Sequence, residues 1–362
     1  MNIAIFTPSQ NPYSETFIQA HKKYLLGNIY YYYGTGQNIK LEQKGNLIQS
    51  FRKLILRFQK KVFKKPNHYL WSKPLLTSLK KQSIDSVLIE YGTHAYHLLP
   101  VLNKLKTPIV VHFHGYDASM VDVIKKCNYY KDVFKIATTV IAVSRVMEKK
   151  LLDIGCPKER LVYNVYGPQP EFYDVKPSFK KNQFIGIGRF TDKKAPYYTI
   201  IAFKNVLEKH PDAKLLLAGK GVLLNTCQNL VKAFGIENNV TFLGVITPKQ
   251  YRQYLSESLA FVQHSITAID GDMEGTPLAI LEASAAGLPI ISTIHAGIPD
   301  VIKHSKTGLL SNEHDVETMS KYMTKCLDDK TFAMQLGRNG KIHIAKHFSL
   351  ERHINTLQQT LS

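Results

Sequence analysis

EGTPLAILEASAAGLP, from Glu274 to Pro289, joins a polar turn to a hydrophobic helix. Apolar residues recur at helical spacing, which predicts a helix that begins near Pro277 and ends at Gly287. Glu274 then lies in the turn ahead of the helix, whereas Glu282 lies more than one turn inside it. We expect both carboxylates to face one crevice, where helix amide groups collect an anion. The spacing alone leaves a surface helix with two solvated glutamates equally open.

Further motifs surround this helix. They are Asp270-Gly-Asp-Met-Glu-Gly-Thr-Pro, Glu282-Ala-Ser-Ala-Ala-Gly-Leu-Pro, Ser292-Thr-Ile-His-Ala-Gly-Ile-Pro-Asp300 and Thr307-Gly-Leu-Leu310. Together they resemble the donor-site signature of glycosyltransferase family 4, and within it the bacterial enzymes of colanic acid and other exopolysaccharide synthesis. The resemblance spans nearly the whole chain. It implies an α/β fold of GT-B architecture, with two Rossmann-like doubly wound domains that face a central cleft.

The composition agrees with two globular domains. The chain has 362 residues, of which 44% are hydrophobic, enough for two cores of ordinary size. Its four cysteines show neither metal-site spacing nor the density of a disulfide scaffold, so we expect them in the core of a protein from a reducing cytoplasm. The N-terminal run lacks a basic leader, and no apolar run is long enough to cross a bilayer. A soluble or peripheral protein is expected.

Short apolar runs mark the strands of the first domain. Runs at 2–7, 86–91, 108–113 and 139–143 alternate with helical stretches, which is typical of a buried parallel sheet. The segment from Pro168 to Phe184 is polar and rich in proline, which indicates a domain junction. We therefore place an acceptor-binding domain at 1–175 and a donor-binding domain at 176–348. The resemblance implies that a last helix, at 349–362, crosses back to the first domain.

A histidine follows one of these strands directly. Gly115 would let the backbone turn sharply, so that His114 faces the crevice at the carboxyl end of the sheet. A lone histidine at a strand end is more often packed or solvated than functional. The resemblance implies that a histidine of this loop lies near the transferred sugar. His114 and Glu274 are accordingly the two catalytic candidates.

Two cations flank a phosphate-sized gap between a strand and a helix. The resemblance implies that Arg189 and Lys194 clamp the donor diphosphate, although without the neighbouring motif two solvated surface cations would be the favoured interpretation. It also implies that Glu282 holds the ribose and that the turn at Val245 approaches the nucleobase. The full donor-binding set expected from the sequence is Gly115, Arg189, Lys194, Gly219, Val245, Gly275, Thr276, Pro277, Leu278 and Glu282.

A metal site is not expected. Asp270 and Asp272 are close enough in sequence to be magnesium ligands. However, cationic side chains and a helix N-terminus can neutralise a leaving diphosphate without a metal. We therefore expect no cofactor and no metal requirement, with a UDP- or GDP-sugar as the donor. Two departures from the family pattern, Ala195 in place of glycine and Asp300 in place of glutamate, are expected to be small chemical changes.

Residues 40–81 carry much of the chain's formal net charge of +19. They contain twelve lysines or arginines against one acid, Glu42. Such a charge is compatible with nucleic acid or with an anionic membrane. The chain has no zinc finger, basic zipper or RNA-binding motif, so nucleic acid is not expected. Apolar residues share a helical face between the cations, which favours an interfacial helix, unless that face packs on its own domain; they are Phe51, Leu54, Ile55, Phe58 and Val62.

The resemblance, together with these observations, implies a hexosyltransferase-type glycosyltransferase, and retention of configuration is implied by the resemblance alone. The enzyme would move a sugar from a nucleotide diphosphate to a glycan acceptor, lipid-linked, in bacterial surface polysaccharide synthesis. Its place would be cytoplasmic, peripheral at the inner face of the cell membrane. The alternatives are a nucleotide-sugar epimerase of GT-B fold, a degenerate binding module, and a non-catalytic basic protein that binds nucleic acid.

Overall fold

The structure is a computed structural model that describes residues 1–10, 15–48 and 50–362, without the side chains of residues 50–52. Contacts between Cα atoms divide the chain into two units. The first unit comprises Met1–Asn164 and Ile354–Ser362, and the second comprises Val165–His353. The sequence predicted domain limits after residues 175 and 348, whereas the two units divide after Asn164 and after His353. The predicted limits remain predictions.

The first unit is built on a sheet of mainly parallel strands. The strands are β1 (Asn2–Thr7), β2 (Asn28–Tyr33), β3 (Lys40–Leu41), β4 (Gly45–Asn46), β5 (Ser86–Glu90), β6 (Ile109–His112), β7 (Thr139–Ala142) and β8 (Leu161–Tyr163). The helices are α1 (Thr16–Tyr24), α2 (Ser50–Val62), α3 (Tyr69–Lys81), α4 (Gly92–Leu102), α5 (Tyr116–Ser119), α6 (Val121–Lys126), α7 (Lys131–Ile136) and α8 (Arg145–Asp153). The strand order is β4-β3-β2-β1-β5-β6-β7-β8.

At one edge β3 pairs antiparallel with both β2 and β4, and the remaining neighbours pair parallel. In the centre, Glu90 at the end of β5 is in register with His112 at the end of β6. All five residues of β5 and all four of β6 are buried, as the near-continuous apolar runs predict. The two polar residues at these strand ends are therefore buried as well.

The second unit contains a fully parallel sheet. Its strands are β9 (Gln183–Ile187), β10 (Lys214–Ala218), β11 (Val240–Gly244), β12 (Ala260–Val262), β13 (Ile290–Thr293) and β14 (Gly308–Ser311), in the order β11-β10-β9-β12-β13-β14. Its helices are α9 (Pro196–Val206), α10 (Leu224–Ala233), α11 (Pro248–Glu257), α12 (Leu278–Ala286), α13 (Ile298–Val301), α14 (Val316–Asp328) and α15 (Lys330–His347). Helix α16 (Leu350–Leu361) begins in the second unit, and its residues from Ile354 onward belong to the first.

Helix α12 confirms the bounds predicted from the opening stretch. Pro277 is its N-cap, and Gly287 ends it in the left-handed conformation, with φ 92°. Glycine adopts this conformation without the steric penalty that a Cβ brings. Most of the helix is buried, which explains why its sequence is apolar nearly all round.

Two further expectations concern the core and the membrane. All four cysteines are buried free thiols, as expected for core residues. Within the part of the chain that the structure describes, no helix combines the length and the hydrophobicity that crossing a bilayer requires.

Candidate active site

Three loops meet at the carboxyl edge of the second unit's sheet, after β9, β10 and β11. The N–H of Gly188 donates to the carbonyl of Ala218 at 3.0 Å, and the N–H of Phe190 donates to Lys220 at 3.0 Å. The N–H of Gly219 donates to the carbonyl of Gly244 at 2.7 Å. These bonds fix the loops to each other at the edge where open α/β sheets bind ligands.

The predicted donor-site residue Gly219 is required for this close approach. Its φ is 133°, and a Cβ at this position would lie 1.9 Å from the carbonyl oxygen of Gly188. No side chain fits at such a distance, so the two loops approach each other only because residue 219 is glycine. Val245 follows Gly244 directly, and its side chain is exposed at the same edge of the sheet.

Arg189 and Lys194 line the same pocket. The pocket lies between the β9 loop and the start of α9, and Phe190, Thr199 and Gln263 also line it. The structure thus brings together the two cations that the sequence singled out. Gln263 was missed, although a polar residue at the carboxyl end of the predicted strand 259–263 was a usable signal.

Lys194 pairs with the buried carboxylate of Glu274. Lys194 Nζ lies 3.2 Å from Glu274 Oε2 and 3.4 Å from Gln263 Oε1. Burial lowers the pKa of Lys194, helped by the charges of Lys193 and Arg189 and opposed by Glu274. Burial alone would raise the pKa of Glu274, but the positive charges of Lys194 and Lys193 outweigh it, and the net shift is downward. The carboxyl of Glu274 is therefore ionised near neutral pH, next to the amino group of Lys194.

The second oxygen of this carboxylate has a different environment. Glu274 Oε1 is buried and has no hydrogen-bond partner among the described residues. Buried polar atoms in proteins are nearly always hydrogen-bonded, so an orphan of this kind calls for a ligand or a water. The carboxylate thus has one oxygen engaged by Lys194 and one oxygen available to a hydroxyl donor.

A chain of polar groups holds Glu274 from behind. The backbone N–H of Glu274 donates to His295 Nε2 at 3.2 Å, and His295 Nδ1 lies 2.6 Å from Glu313 Oε1. The N–H of Thr267 donates to Glu313 at 2.8 Å. His295 lies inside the motif from Ser292 to Asp300, but nothing in the spacing of that motif predicted that it supports Glu274. No sequence pattern pointed to Glu313.

Lys193 explains the acidic residues that precede Glu274. Its side chain is buried, and Nζ donates to Asp272 Oδ1 at 2.9 Å and to the carbonyl of Met273 at 3.2 Å. Asp270 Oδ1 accepts the N–H of Asp272 at 3.0 Å. The carboxylate of Asp272 is therefore engaged by a lysine, and the carboxylate of Asp270 forms a turn. Lys193 was not among the residues predicted for the site.

Ala195 adopts a backbone conformation that disfavours alanine. The residue is fully buried and left-handed, with φ 36° and ψ 52°. An L-residue with a Cβ is strained there by about 1–2 kcal/mol, whereas glycine is not. The family's glycine is thus explained, and the expectation that alanine is a small change here is wrong.

The remaining predicted donor residues lie around the start of α12. Gly275 accepts the N–H of Gly297 through its carbonyl at 3.0 Å. Thr276 is buried, Pro277 caps the helix, and Leu278 is its first residue. These contacts fix the turn that follows Glu274.

Glu282 differs from Glu274 in its charged neighbours. It is half-buried on α12, and loss of hydration raises the pKa of its carboxyl to about 8, against the opposing charge of Arg252. Tyr251 of α11 donates its hydroxyl to the carbonyl of Ala279, one turn ahead of Glu282, at 3.0 Å. At neutral pH the shifts therefore favour the ionised form of Glu274, ahead of α12, and the protonated form of Glu282, inside α12.

His114 and Gly115 belong to the first unit. Asp117 Oδ1 accepts the N–H groups of both residues at 3.0 Å, which holds the turn after β6. His114 Nε2 lies 2.8 Å from Glu90 Oε2. The histidine is thus fixed at the carboxyl edge of its own sheet, as predicted.

Residues 170–343 match the family model of group 1 glycosyl transferases, which confirms the resemblance found in the sequence. The amylovoran biosynthesis glycosyltransferase AmsK of Erwinia amylovora is 29% identical over 256 residues, 68% of this chain and 63% of that protein. The putative colanic acid biosynthesis glycosyltransferase WcaL of Escherichia coli is 28% identical over 227 residues, 60% of this chain and 55% of its own. The matched regions span less than two thirds of either relative.

Solved structures confirm the GT-B fold. HepE of Anabaena, crystallised in complex with UDP and glucose, superposes with a TM-score of 0.77 at 15% identity, over 100% of this chain and 99% of that one. Sucrose-phosphate synthase of Thermosynechococcus elongatus gives a TM-score of 0.75 at 16% identity, over 99% and 97%. At this identity the likeness concerns the fold alone, which is two Rossmann-like domains with parallel sheets.

Proposed function

Because residues 170–343 match the family model of group 1 glycosyl transferases, we propose that the chain transfers a sugar from a nucleoside diphosphate to a glycan hydroxyl in exopolysaccharide synthesis. The bond between the anomeric carbon and the diphosphate oxygen breaks, and a bond to the acceptor oxygen forms. The acceptor's proton is released to the diphosphate or to solvent. The stereochemistry is retaining, the transferred group is a hexose, and the donor is a UDP- or GDP-sugar, as the sequence resemblance implies.

The pocket shared by Arg189 and Lys194 is the single observation that best supports this proposal. A departing diphosphate gains negative charge as the bond to the sugar breaks, and fixed cations stabilise that charge most in a partly buried site. Arg189 offers forked donors and Lys194 a point charge, which together suit phosphate oxygens. No metal is needed in this scheme, because the carboxylate of Asp272 already pairs with Lys193.

Glu274 is suited to hold the transferred sugar. Its oxygen Oε1 is buried and without a protein partner among the described residues, while Oε2 is engaged by Lys194. A sugar hydroxyl that donates to Oε1 would satisfy this atom and fix the sugar next to the cations. Glu282, on the next turns of α12, is assigned to the ribose. The two carboxylates therefore have separate roles.

Nucleotide binding is the first test. Thermal unfolding is followed with UDP, GDP and ADP, each with and without its sugar. One nucleoside diphosphate should raise the melting temperature in a concentration-dependent way, since a ligand of the folded state stabilises it by mass action. The same nucleotide should have a much smaller effect on Arg189→Ala. If no nucleoside diphosphate binds the wild type, the proposed function is wrong.

The exposed face of α2 supports a membrane partner. Leu54, Ile55, Phe58 and Val62 are 63, 44, 68 and 53% exposed, whereas Leu56 on the same helix is buried. These four members of the apolar stripe predicted from the sequence therefore do not pack on their own domain. The fifth member, Phe51, has a side chain that lies outside the described residues. Exposed large apolar residues flanked by cations are the pattern of an interfacial helix.

We infer that this face docks on an anionic membrane, where a lipid-linked acceptor would be found, so that the protein is peripheral at the cytoplasmic face. Lysines and arginines attract anionic headgroups through an interaction that salt screens, whereas buried apolar side chains add a contribution that salt does not weaken. The chemistry of this face thus fits a lipid surface better than nucleic acid, which offers no apolar phase for Leu54 and Phe58.

Liposome co-sedimentation tests this partner. Binding should require anionic lipid, fall with salt, and drop when Lys53, Arg57 and Lys61 are changed to glutamate. Phe58→Ser should weaken the binding that persists at high salt, whereas Ile342→Ser, which changes an equally exposed apolar residue of α15, should not. Failure of the wild type to bind anionic vesicles at low salt, or a preference for nucleic acid, would exclude the membrane partner.

A further inference from the structure

A buried carboxylate lies among three histidines in the first unit. Glu90, at the end of β5, is fully buried. Its Oε1 lies 2.7 Å from His21 Nδ1 on α1, and its Oε2 lies 2.8 Å from His114 Nε2 in the turn after β6. His112, also fully buried, has Nδ1 at 3.5 Å from Oε2. A charge so deeply buried is expensive unless neighbours compensate for it, so the cluster is a specific arrangement and not incidental packing.

The protonation states follow from this geometry. Burial by itself would raise the pKa of Glu90, but the charge of His21 and the hydrogen bonds of the three imidazoles hold it well below its usual range. Burial lowers the pKa of His112 to about 3, so that ring is neutral. An ionised carboxylate only accepts hydrogen bonds. The imidazoles of His21 and His114 must therefore each donate an N–H to it.

The spacing distinguishes this cluster from a metal centre. His21, Glu90 and His112 offer ligand atoms that all lie within 4.8 Å of one another. Two ligands of a tetrahedral zinc ion would be about 3.3 Å apart, given zinc bonds of about 2.0–2.1 Å. The 2.7 Å between His21 Nδ1 and Glu90 Oε1 is shorter and matches a charge-assisted hydrogen bond. Hydrogen bonds to Glu90 therefore join these side chains.

The surroundings of His114 restrict its ring. Phe17 and Tyr91 place their rings with centroids 4.6 Å from that of His114, on α1 and after β5. Tyr91 has a φ of 75° and a ψ of 129°, a conformation that is rare for a residue with a Cβ and that the surrounding structure must enforce. Strain of this kind, directly after Glu90, is typical of sites where geometry serves function.

We propose that Glu90 is a positioning residue for His114, which fixes the tautomer of the imidazole that carries hydrogen on Nε2. Held in this tautomer, the ring would keep one orientation toward a hydroxyl group of the transferred sugar. His21 balances the charge of Glu90 on the other oxygen. The role toward the sugar rests on the function proposed above, whereas the tautomer is a property of the free protein.

Nitrogen-15 NMR of the free protein tests the tautomer directly. Long-range correlations between ring protons and ring nitrogens, assigned with His114→Asn, should show hydrogen on Nε2 of His114 at neutral pH. In Glu90→Gln the His114 signals should move to a mixture of tautomers. The control is His94→Leu, which removes another buried imidazole of the same unit, one without a hydrogen-bond partner among the described residues, and should leave the His114 signals unchanged.

Kinetics supply the second readout. Glu90→Gln should lower kcat by about a hundredfold and change the dissociation constant of the nucleoside diphosphate less than twofold, because Arg189 and Lys194, which are proposed to hold the diphosphate, belong to the second unit. His94→Leu should retain kcat. If Glu90→Gln unfolds, the wild-type tautomer still decides: hydrogen on Nδ1, or one stoichiometric zinc ion in the purified protein, overturns the proposal.

The two hypotheses fail separately. A correct tautomer with no sugar transfer from any nucleotide donor would refute the proposed function and leave the fixed ring established. Full transfer activity with the opposite tautomer, or with a His114 spectrum that Glu90→Gln does not change, would refute the positioning role alone.

Discussion

Replacement of Lys194 by methionine removes the cation that faces a buried carboxylate. Lys194 Nζ and Glu274 Oε2 are 3.2 Å apart, and their side chains are only 14 and 8% exposed. At an effective dielectric constant of about 20, unit charges at this distance attract by about 5 kcal/mol. The carboxyl can escape this loss by taking up a proton, which from its ordinary pKa of 4.5 requires about 3.4 kcal/mol at pH 7. The destabilisation at pH 7 should therefore be about 2–3 kcal/mol, because Lys193 still acts on Glu274.

The sign of the pH dependence follows from the direction of the shift. The folded-state pKa of Glu274 is lowered, so the pair stabilises the fold above the unfolded pKa, and this stabilisation is lost as pH falls through the folded pKa. At pH 5.5 protonation requires only about 1.4 kcal/mol, so Lys194→Met should be destabilising by no more than that. The double variant Lys194→Met with Glu274→Gln should recover most of the loss at pH 7.

Urea unfolding at the two pH values measures these differences. Far-UV circular dichroism is the suitable signal, since the one tryptophan, Trp71, lies in the first unit and does not report on the second. A loss for Lys194→Met that is equal at pH 7 and pH 5.5, or a double variant less stable than Lys194→Met, would refute the electrostatic reasoning.

Four further predictions concern the same unit. Ala195→Gly should stabilise the fold by up to about 1 kcal/mol in thermal unfolding, because glycine is not strained in the left-handed conformation. Ala202→Gly, inside α9, is the control and should destabilise the fold by at least that much. A lower melting temperature for Ala195→Gly would contradict the strain at residue 195. Binding of the preferred nucleotide at pH 7 should release a proton from Glu282. In titration calorimetry the binding enthalpy should therefore depend on the ionisation enthalpy of the buffer, and Glu282→Gln should abolish this dependence. The same buffer dependence in Glu282→Gln as in the wild type would contradict the ribose assignment. Glu274→Gln should keep the nucleotide affinity within about threefold and lower turnover about a hundredfold, so equal losses of affinity in both glutamate variants would refute their separate roles. Activity should survive EDTA, and Asp272→Asn should not create a metal requirement; activity restored by magnesium after chelation would show the opposite.

Hydrophobic periodicity and the positions of glycine and proline were sufficient to predict the strands and helices named next. The apolar runs of β5 and β6 and the helix between Pro277 and Gly287 are confirmed, because burial of parallel strands and the left-handed glycine at a helix end leave direct marks in sequence. The pocket shared by Arg189 and Lys194 was also predictable once the resemblance was recognised, since both flank the first strand and helix of their domain.

Contacts between distant segments left no such marks. Lys193 meets Asp272 and His295 meets Glu313 only because loops from different strands converge at one edge of the sheet. The left-handed backbone of Ala195 is hidden, since alanine is a residue that sequence patterns place in helices. Whether the apolar face of α2 is covered depends on neighbours that periodicity does not identify.

Product analysis of the purified enzyme with its preferred nucleotide sugar and a membrane extract tests glycosyl transfer most directly. Mass spectrometry should show an acceptor heavier by one sugar residue, with one nucleoside diphosphate released per product, in the presence of EDTA. Lys194→Met should yield neither. Release of nucleoside diphosphate with a free isomerised sugar and no enlarged acceptor would instead establish an epimerase, and absence of both products would contradict a catalytic role for this site.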